Sequence, residues 1–466
     1  MQNKGTLIVS ISGIRGIFGD GLDPAGIVQY ATAFGTWCAR RAASRNVKPL
    51  VIVGRDARVT GKICANLVIA SLQSTGCDVV DLDLATTPTV ASAVLDLEAL
   101  GGVILSASHN PVQWNALKML GDFGEFLRAS EAEEVIQLAQ RGEAETVSYE
   151  GIGSLTTRDY LQEHIQSILD LPYIKPEKIA GRDFKVTVDA INSVGGIAIP
   201  ALLEQLGVRK ENITVLNGEP NGLFAHNPEP LPQNLTGIVE AVAREGADLG
   251  IVVDPDADRL ALVADGGVYV SEELTQVMAA DFLFRHNPGP FVTNLSSSRA
   301  IEDVAAGFNV PVYRAPVGEI NIVDKMKEVD AVLGGEGSGG VILAELHHGR
   351  DALIGAAMIL QHLTDEDISM SELLARMPVY AMSKGKIPLG ELDADHVLAV
   401  LAERFKDEKH STIDGLKIDF PDGWVHLRKS NTEPILRIYT EAPTAAEADQ
   451  LANRFREALE SVGAEA

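Results

Sequence analysis

The sequence predicts a chain of α/β domains followed by a smaller α+β domain. Three observations carry this expectation. The first is length: 466 residues exceed what one hydrophobic core holds, so about three to four domains are expected. The second is a series of short β-branched runs, each ending in a polar turn and heading toward a helical pattern. The third is a tail whose pattern differs from everything before it.

The runs are "PLVIVGRDARVTG" (49–61), "GGVILSASHNP" (101–111), "FKVTVDAINSVGG" (184–196), "ADLGIVVDPDADR" (247–259) and "GPFVTNLSSSRA" (289–300). Continuous apolar strands alternating with helices read as largely parallel, buried sheets. Ligands usually bind in the loops at the carboxyl ends of such strands. In the tail, "WVHLRKSNTEPILRIYTEA" reads as two strands joined by a polar loop. "APTAAEADQLANRFREALESVG" then opens with a capping box, Thr444 to Glu447, and repeats Leu451, Phe455, Leu459 and Val462 at helical spacing. Domains are accordingly expected at 1–152, 153–253, 254–376 and 377–466.

The composition is that of a globular chain, 46% apolar and 22% charged, without a low-complexity tract. No apolar run is long enough to span a membrane, and "MQNKGTLIVSISGIRG" lacks the apolar length and cleavage signature of a signal peptide. Cys38, Cys64 and Cys77 are odd in number and have no metal-ligand spacing, so a reduced, cytoplasmic setting is expected. The net charge of −26 argues against a nucleic-acid partner, which needs a broad basic face. An anionic small molecule remains open, because salt screens distant charges and lets a local basic cluster prevail.

Four loops carry chemistry. "SASHNPVQWNALK" (106–118) places Ser108, His109 and Lys118 around an Asn110–Pro111 corner. That corner also reads as a helix start, with Asn110 as N-cap and Pro111 at the first helical position. Asp254-Pro255-Asp256-Ala257-Asp258-Arg259 follows a buried strand. Three carboxylates so close repel one another unless water or a hard cation such as magnesium separates them. Arg259 stands where a calcium-binding EF-hand loop needs glycine, and a solvated acidic turn is the alternative. "GGEGSGGVI" (334–342) offers Glu336 and Ser338 on a backbone that a ligand can approach, or it is a plain glycine-rich turn. Arg428-Lys429-Ser430-Asn431-Thr432-Glu433-Pro434, with Arg437 beyond it, suits a phosphate clamp or a charged hairpin.

Together these loops resemble the α-D-phosphohexomutase superfamily over essentially the whole chain. "SASHNP" resembles its phosphoserine loop, "DPDADR" its magnesium loop, "GEGSGG" its sugar loop and "RKSNTEP" its phosphate-binding loop. "SGIRG" (12–16) resembles its amino-terminal arginine motif. The resemblance implies three related α/β domains with mostly parallel mixed sheets and a C-terminal α+β domain, arranged around a central cleft. It implies that Ser108 carries a phosphoryl group, stabilised by a helix amino terminus. One magnesium ion is implied on Asp254, Asp256, Asp258 and Ser108, with Lys118 assisting proton transfer and Arg15 and His109 flanking the phosphoryl oxygens. Arg259, Gly318, Glu336, Ser338, Arg428, Ser430, Asn431, Thr432 and Arg437 would bind substrate. The implied reaction interconverts hexose 6- and 1-phosphates through a hexose 1,6-bisphosphate that reverses in the cleft. Hexose phosphates are the expected partners of a monomer or homodimer, with no nucleic acid and no membrane.

Two positions depart from the pattern of many relatives: Ala116 stands for a glycine, and Gly340 for the histidine that ends the sugar loop. His347 and His348 are the candidates to compensate. "DPDADR" resembles the phosphoglucosamine mutase branch, whereas Gly337 and Gly340 depart from that branch's sugar loop. Glucosamine phosphate is the expected substrate, with glucose and mannose phosphates as rivals. A metal-dependent sugar phosphatase and a silent sugar-phosphate-binding protein are the competing classes.

Overall fold

The computed structural model describes residues 5–10, 13–390, 392–429 and 435–465, with side chains to 462. Fifteen α-helices and four mixed or antiparallel sheets occur among the described residues. The chain divides into two compact units. One holds the residues up to Thr275 together with Ser338–Ala375, and the other holds Gln276–Gly337 with the chain from Arg376 on.

The first unit contains two sheets. In the first, strands Leu50–Arg55, Asp78–Leu84 and Gly101–Leu105 run parallel, and Trp114–Gly121 and Gly13–Phe18 extend the sheet antiparallel. Helix Pro24–Arg45 packs on one face through Ile27, Phe34 and Cys38; helix Thr87–Asp96 covers the other through Val90 and Val94. Leu105 pairs with Arg55, so the loops that follow these two strands leave the sheet side by side. In the second sheet, Val186–Asp189 pairs in parallel with Ile213–Leu216 and Leu249–Val253, and Leu260–Ala264 returns antiparallel to the latter.

Three of the five apolar runs lead into helices as expected, at Gly61–Ser74, Gly195–Gln205 and Ala300–Phe308. The two that carry Ser108 and the acidic triad do not. After Asn110–Pro111 the chain makes successive turns, with Asn110 N–H donating to the Ala107 carbonyl (3.0 Å) and Trp114 N–H to that of Pro111 (3.0 Å), and then enters strand Trp114–Gly121. No helix amino terminus therefore stands at Ser108. The acidic loop joins two adjacent strands, Val253 pairing with Leu260, so the expected boundary at 253/254 falls within one sheet.

In the second unit, Phe291–Asn294 runs parallel to both Val312–Ala315 and Leu333–Glu336. The C-terminal part is an antiparallel sheet of Ala381–Pro388, Ile435–Ala442, Gly423–Lys429, Leu416–Phe420 and Lys409–Ser411. Helices Ala394–Arg404 and Ala445–Glu465 bury Val397, Leu401, Phe455, Leu459 and Val462 against it. The N-cap half of the expected capping box is present: Thr444 Oγ1 accepts from Glu447 N–H (3.3 Å), while its hydroxyl donates to Glu447 Oε2 (2.7 Å). No helix among the described residues is long and apolar enough to cross a membrane.

Candidate active site

Ser108 occupies a strained corner. Its φ is +47°, a left-handed conformation that non-glycine residues adopt mostly at turns or functional positions. Its amide donates to Ser106 Oγ (2.9 Å), and Ser106 Oγ donates to Asp56 Oδ2 (2.7 Å). The corner is held by Arg58, which reaches across from the neighbouring loop. Its two terminal nitrogens donate to the carbonyls of Ser108 (2.6 Å), Asn110 (2.7 Å), Pro111 (2.7 Å) and Trp114 (3.0 Å). Its Nε donates to Asp56 Oδ2 (3.0 Å), so all five guanidinium hydrogens are used. Arg58 and Asp56 are both fully buried. Neither stood out in the sequence, because the loop they brace lies about fifty residues further along the chain.

Ser108 Oγ donates to Asp254 Oδ2 at 2.7 Å, which brings the serine corner and the acidic loop together. Within that loop Asp254 Oδ1 accepts from the amides of Asp258 (3.1 Å) and Arg259 (3.2 Å), curling the backbone so that all three carboxylates point inward. Asp254, Asp256 and Asp258 are buried, and one ligand oxygen from each lies within 4.8 Å of the others. Asp256 Oδ1 and Asp258 Oδ1 accept no hydrogen bond among the described residues. Hard oxygen donors, converging and left unsatisfied by protein, fit a magnesium-like cation.

The loops are stitched by further bonds. Thr87 N–H donates to the Asp256 carbonyl (2.9 Å) and Thr87 Oγ1 to Asp256 Oδ2 (2.6 Å). Ser193 Oγ accepts from Ala57 N–H (3.2 Å) and donates to the Pro255 carbonyl (2.6 Å).

Charge is balanced locally. Lys118 Nζ lies 2.6 Å from Asp256 Oδ2 and 4.0 Å from Asp258 Oδ2. Burial opposes the Lys118 charge, yet the two aspartates outweigh it and raise its pKa, so the side chain stays an ammonium. Burial also works against ionised Asp256, but Lys118 and Thr87 prevail and lower its pKa. Asp254 is pushed well up by burial and by the charges of Asp258 and Asp256. His109, whose Nδ1 is 3.5 Å from Ser108 Oγ, is driven down to about 3 by burial and by Arg259, Arg350 and Lys118. His109 is therefore neutral near pH 7. Arg15 lies opposite Ala116 on the adjoining strand, on the same sheet face as Lys118.

In the glycine-rich loop 334–342, Gly339 has φ +89° and packs so closely on Leu260 that a Cβ would lie 2.4 Å from its carbonyl oxygen. Ser338 sits half-buried in this turn. His347, a candidate for the missing histidine, instead lies 3.2 Å from Asp351 Oδ2 through Nε2, and His348 lies 3.8 Å from Glu125. The space beside Gly340 is filled by Arg350, whose Nη2 donates to Asp258 Oδ2 at 2.7 Å. Arg350 was not legible in the sequence, being some ninety residues from the carboxylate that it meets.

The second unit gathers the remaining candidates. Glu336 Oε1 accepts from Asn294 Nδ2 (3.2 Å) at the end of the parallel strands. Gly318 (φ +121°) starts helix Glu319–Val329, and Val317 N–H donates to Asp414 Oδ2 (2.9 Å). Arg428 Nε is 2.8 Å from that same oxygen, so Asp414 bridges the two candidate regions. Arg428 pairs in register with Arg437, and Arg437 with Lys386, forming a row of three cations across adjacent strands. Like charges directly opposite one another destabilise a sheet unless an anion offsets them. Ser430, Asn431 and Thr432 lie outside the described residues.

Models of the phosphoglucomutase/phosphomannomutase domains match in order: α/β/α domain I at 7–146, domain II at 159–267, domain III at 271–380 and the C-terminal domain at 386–458. A phosphoglucomutase/phosphomannomutase of Thermococcus kodakarensis is 35% identical over 440 residues, 94% of each chain. A phosphoglucosamine/phosphogalactosamine mutase of Sulfurisphaera tokodaii is 30% identical over 457 residues, covering 96% of this chain and 98% of that one. Among solved structures, a phosphoglucomutase/phosphomannomutase family protein from Burkholderia thailandensis superposes with a TM-score of 0.82 at 25% identity, covering 97% of this chain and 98% of the other. Four domain models in sequence order, over a serine corner locked to a buried aspartate triad, place the chain in the phosphoglucomutase/phosphomannomutase family of α-D-phosphohexomutases.

Proposed function

We propose that the protein interconverts hexose 6-phosphates and hexose 1-phosphates, with Ser108 as the phosphoryl carrier. The observation that carries this reading is the 2.7 Å bond between Ser108 Oγ and Asp254 inside a buried, cation-ready triad. In the first half-reaction the Ser108 O–P bond breaks as a P–O bond forms to a sugar hydroxyl, whose proton ends on the Ser108 oxygen. The resulting hexose 1,6-bisphosphate turns over and returns its other phosphoryl group to Ser108; this second half-reaction runs the same steps in reverse at the other end of the sugar. Asp254, Asp256, Asp258 and Ser108 would hold one magnesium ion, which supplies charge neutralisation for the transferring group when bound.

The chain's own groups do the rest. Lys118, kept as an ammonium, donates toward the oxygens of the transferring group, and Arg15 and Arg259 add positive charge. Neutral His109 donates a hydrogen bond without adding charge. The row of Arg428, Arg437 and Lys386 receives the phosphate that is not reacting, whichever end of the sugar carries it, with Ser430, Asn431 and Thr432 completing the clamp. Glu336, Ser338 and Gly318 contact the sugar. A cytoplasmic setting is supported by the three buried, unpaired cysteines, and the assembly is a monomer or homodimer.

Glucosamine phosphate is the proposed substrate, since a carboxylate such as Glu336 pairs with a protonated 2-amine. The 35% identical relative bears a glucose/mannose name, which makes glucose and mannose phosphates the rivals. A coupled assay for isomerised product, with phosphopeptide mapping, tests the mutase. Phosphate on Ser108 and turnover lost in Ser108→Ala are expected; net phosphate release without isomerisation indicates a phosphatase, and binding without either a silent protein. Glucosamine 1-phosphate at least tenfold poorer in kcat/KM than either rival, about 1.4 kcal/mol, removes the amino-sugar assignment.

A further inference from the structure

Gly340 is a glycine for a reason that its own backbone does not supply. It has no left-handed φ, yet a Cβ there would lie 2.4 Å from Arg350 Cδ and 2.9 Å from its Cγ. The arginine's stem occupies the volume in which any other side chain at 340 would begin. Its head is equally committed. Arg350 is only 8% exposed, and its Nη2 binds Asp258 Oδ2, the oxygen that faces Lys118 Nζ at 4.0 Å.

The residue after it fixes this placement. Asp351 Oδ1 accepts from the Leu353 and Ile354 amides at the start of helix Ala352–Glu366, and its Oδ2 meets His164 Nε2 (2.9 Å) and His347 Nε2 (3.2 Å). All of these groups are buried. The backbone that carries Arg350 is therefore anchored beside the triad.

A count of charge shows what such an arginine is for. With all three ionised, Asp254, Asp256 and Asp258 are met by three cations: Lys118, Arg259 (Nε 3.8 Å from Asp258 Oδ1) and Arg350. A divalent cation added to this balanced set leaves a surplus of two positive charges. A phosphoryl group on a serine carries about −1.5 to −2 near neutral pH. Without Arg350 the surplus halves.

We propose that Arg350 is a further phosphoryl-binding residue of this site, admitted by the missing side chain at Gly340 and held on Asp258 until an anion arrives. The assignment rests on the mutase reading for its substrate, but its test does not use turnover. Calorimetric titrations of Mg2+ into the unphosphorylated protein, and of inorganic phosphate into the Mg2+-saturated protein, are made on wild type, Arg350→Ala, Arg350→Lys, Gly340→Ala and the double alanine variant. Arg350→Ala is expected to bind phosphate at least tenfold more weakly while binding Mg2+ no more weakly than wild type. Arg350→Lys recovers part of the phosphate affinity. Gly340→Ala, whose Cβ displaces the arginine, reproduces Arg350→Ala, and the double variant is no worse than either single one. Both affinities falling together would mark a structural role and overturn the proposal. So would an unchanged phosphate affinity, additive single effects, or a wild type that binds no phosphate. Wild type that binds phosphate yet isomerises no sugar would instead remove the mutase reading and leave this assignment in place.

Discussion

Replacing Arg58 by lysine tests whether the serine corner is held from the neighbouring loop. Lysine keeps the positive charge beside buried Asp56 but loses the planar fork that reaches four carbonyls at 2.6–3.0 Å. A hydrogen bond from a charged donor contributes about 1.5–3 kcal/mol, so losing three of four sums to roughly 4.5–9 kcal/mol gross. Water entering the vacated space and relaxation of residues 108–114 recover part of this, leaving about 2–4 kcal/mol. Alanine is the poorer variant, because it strands Asp56 as an unpaired buried charge, at about 3–5 kcal/mol. Global unfolding of a multidomain chain does not report one loop cleanly, whereas native-state hydrogen exchange does. The amides to follow are Ser108, Asn110 and Trp114, bonded to Ser106 Oγ and to the carbonyls of Ala107 and Pro111. Exchange at all three is expected to accelerate about thirty- to eight-hundred-fold in Arg58→Lys, with kcat falling in parallel. Acceleration below about threefold would refute the idea that Arg58 sets the corner.

Chelation of divalent ions should abolish turnover, and Asp256→Asn should lower it with no large change in melting temperature; full activity in metal-free buffer contradicts the triad's role. The pH dependence of stability should carry the mark of His109. Its folded pKa, about 3, lies below the unfolded 6.5, so its contribution is present above pH 6.5 and is lost as pH falls toward 3. Between pH 6.5 and 5 wild type should lose about 1.6 kcal/mol relative to His109→Gln, read from denaturant midpoints, and parallel profiles argue against a buried neutral imidazole. Arg428→Ala should weaken binding of 1- and 6-phosphates alike by about 1.5–3 kcal/mol, and an effect on one isomer alone contradicts a clamp that serves both orientations.

The groups legible in the sequence are those that sit close together in it. Ser108, His109 and Lys118 share one loop and strand, and the three aspartates share one hairpin. What escaped reading was long-range or degenerate. Arg58 and Arg350 act on partners 50 and 92 residues away, which no local pattern encodes. The helix expected after Asn110–Pro111 failed because a cap and a simple turn use the same residues. Strand Trp114–Gly121 is buried on both faces from Asn115 onward, so it lacks the alternation that separates strand from helix.

The bonds from Thr87 and Ser193 to the acidic loop have a consequence for how such a chain can be rebuilt. They tie the backbone beside Asp56 and the segment at Thr87 to Pro255 and Asp256, across two sheets with separate cores. A recombinant that takes its first domain from one relative and its second from another inherits Ser108 and the triad intact. It then mismatches the seam that holds them 2.7 Å apart. Crossovers between residues 157 and 186 should therefore yield folded but slow chimeras, unless positions 57, 87, 193 and 255–256 come from one parent. By this geometry the first two domains are a single unit of inheritance.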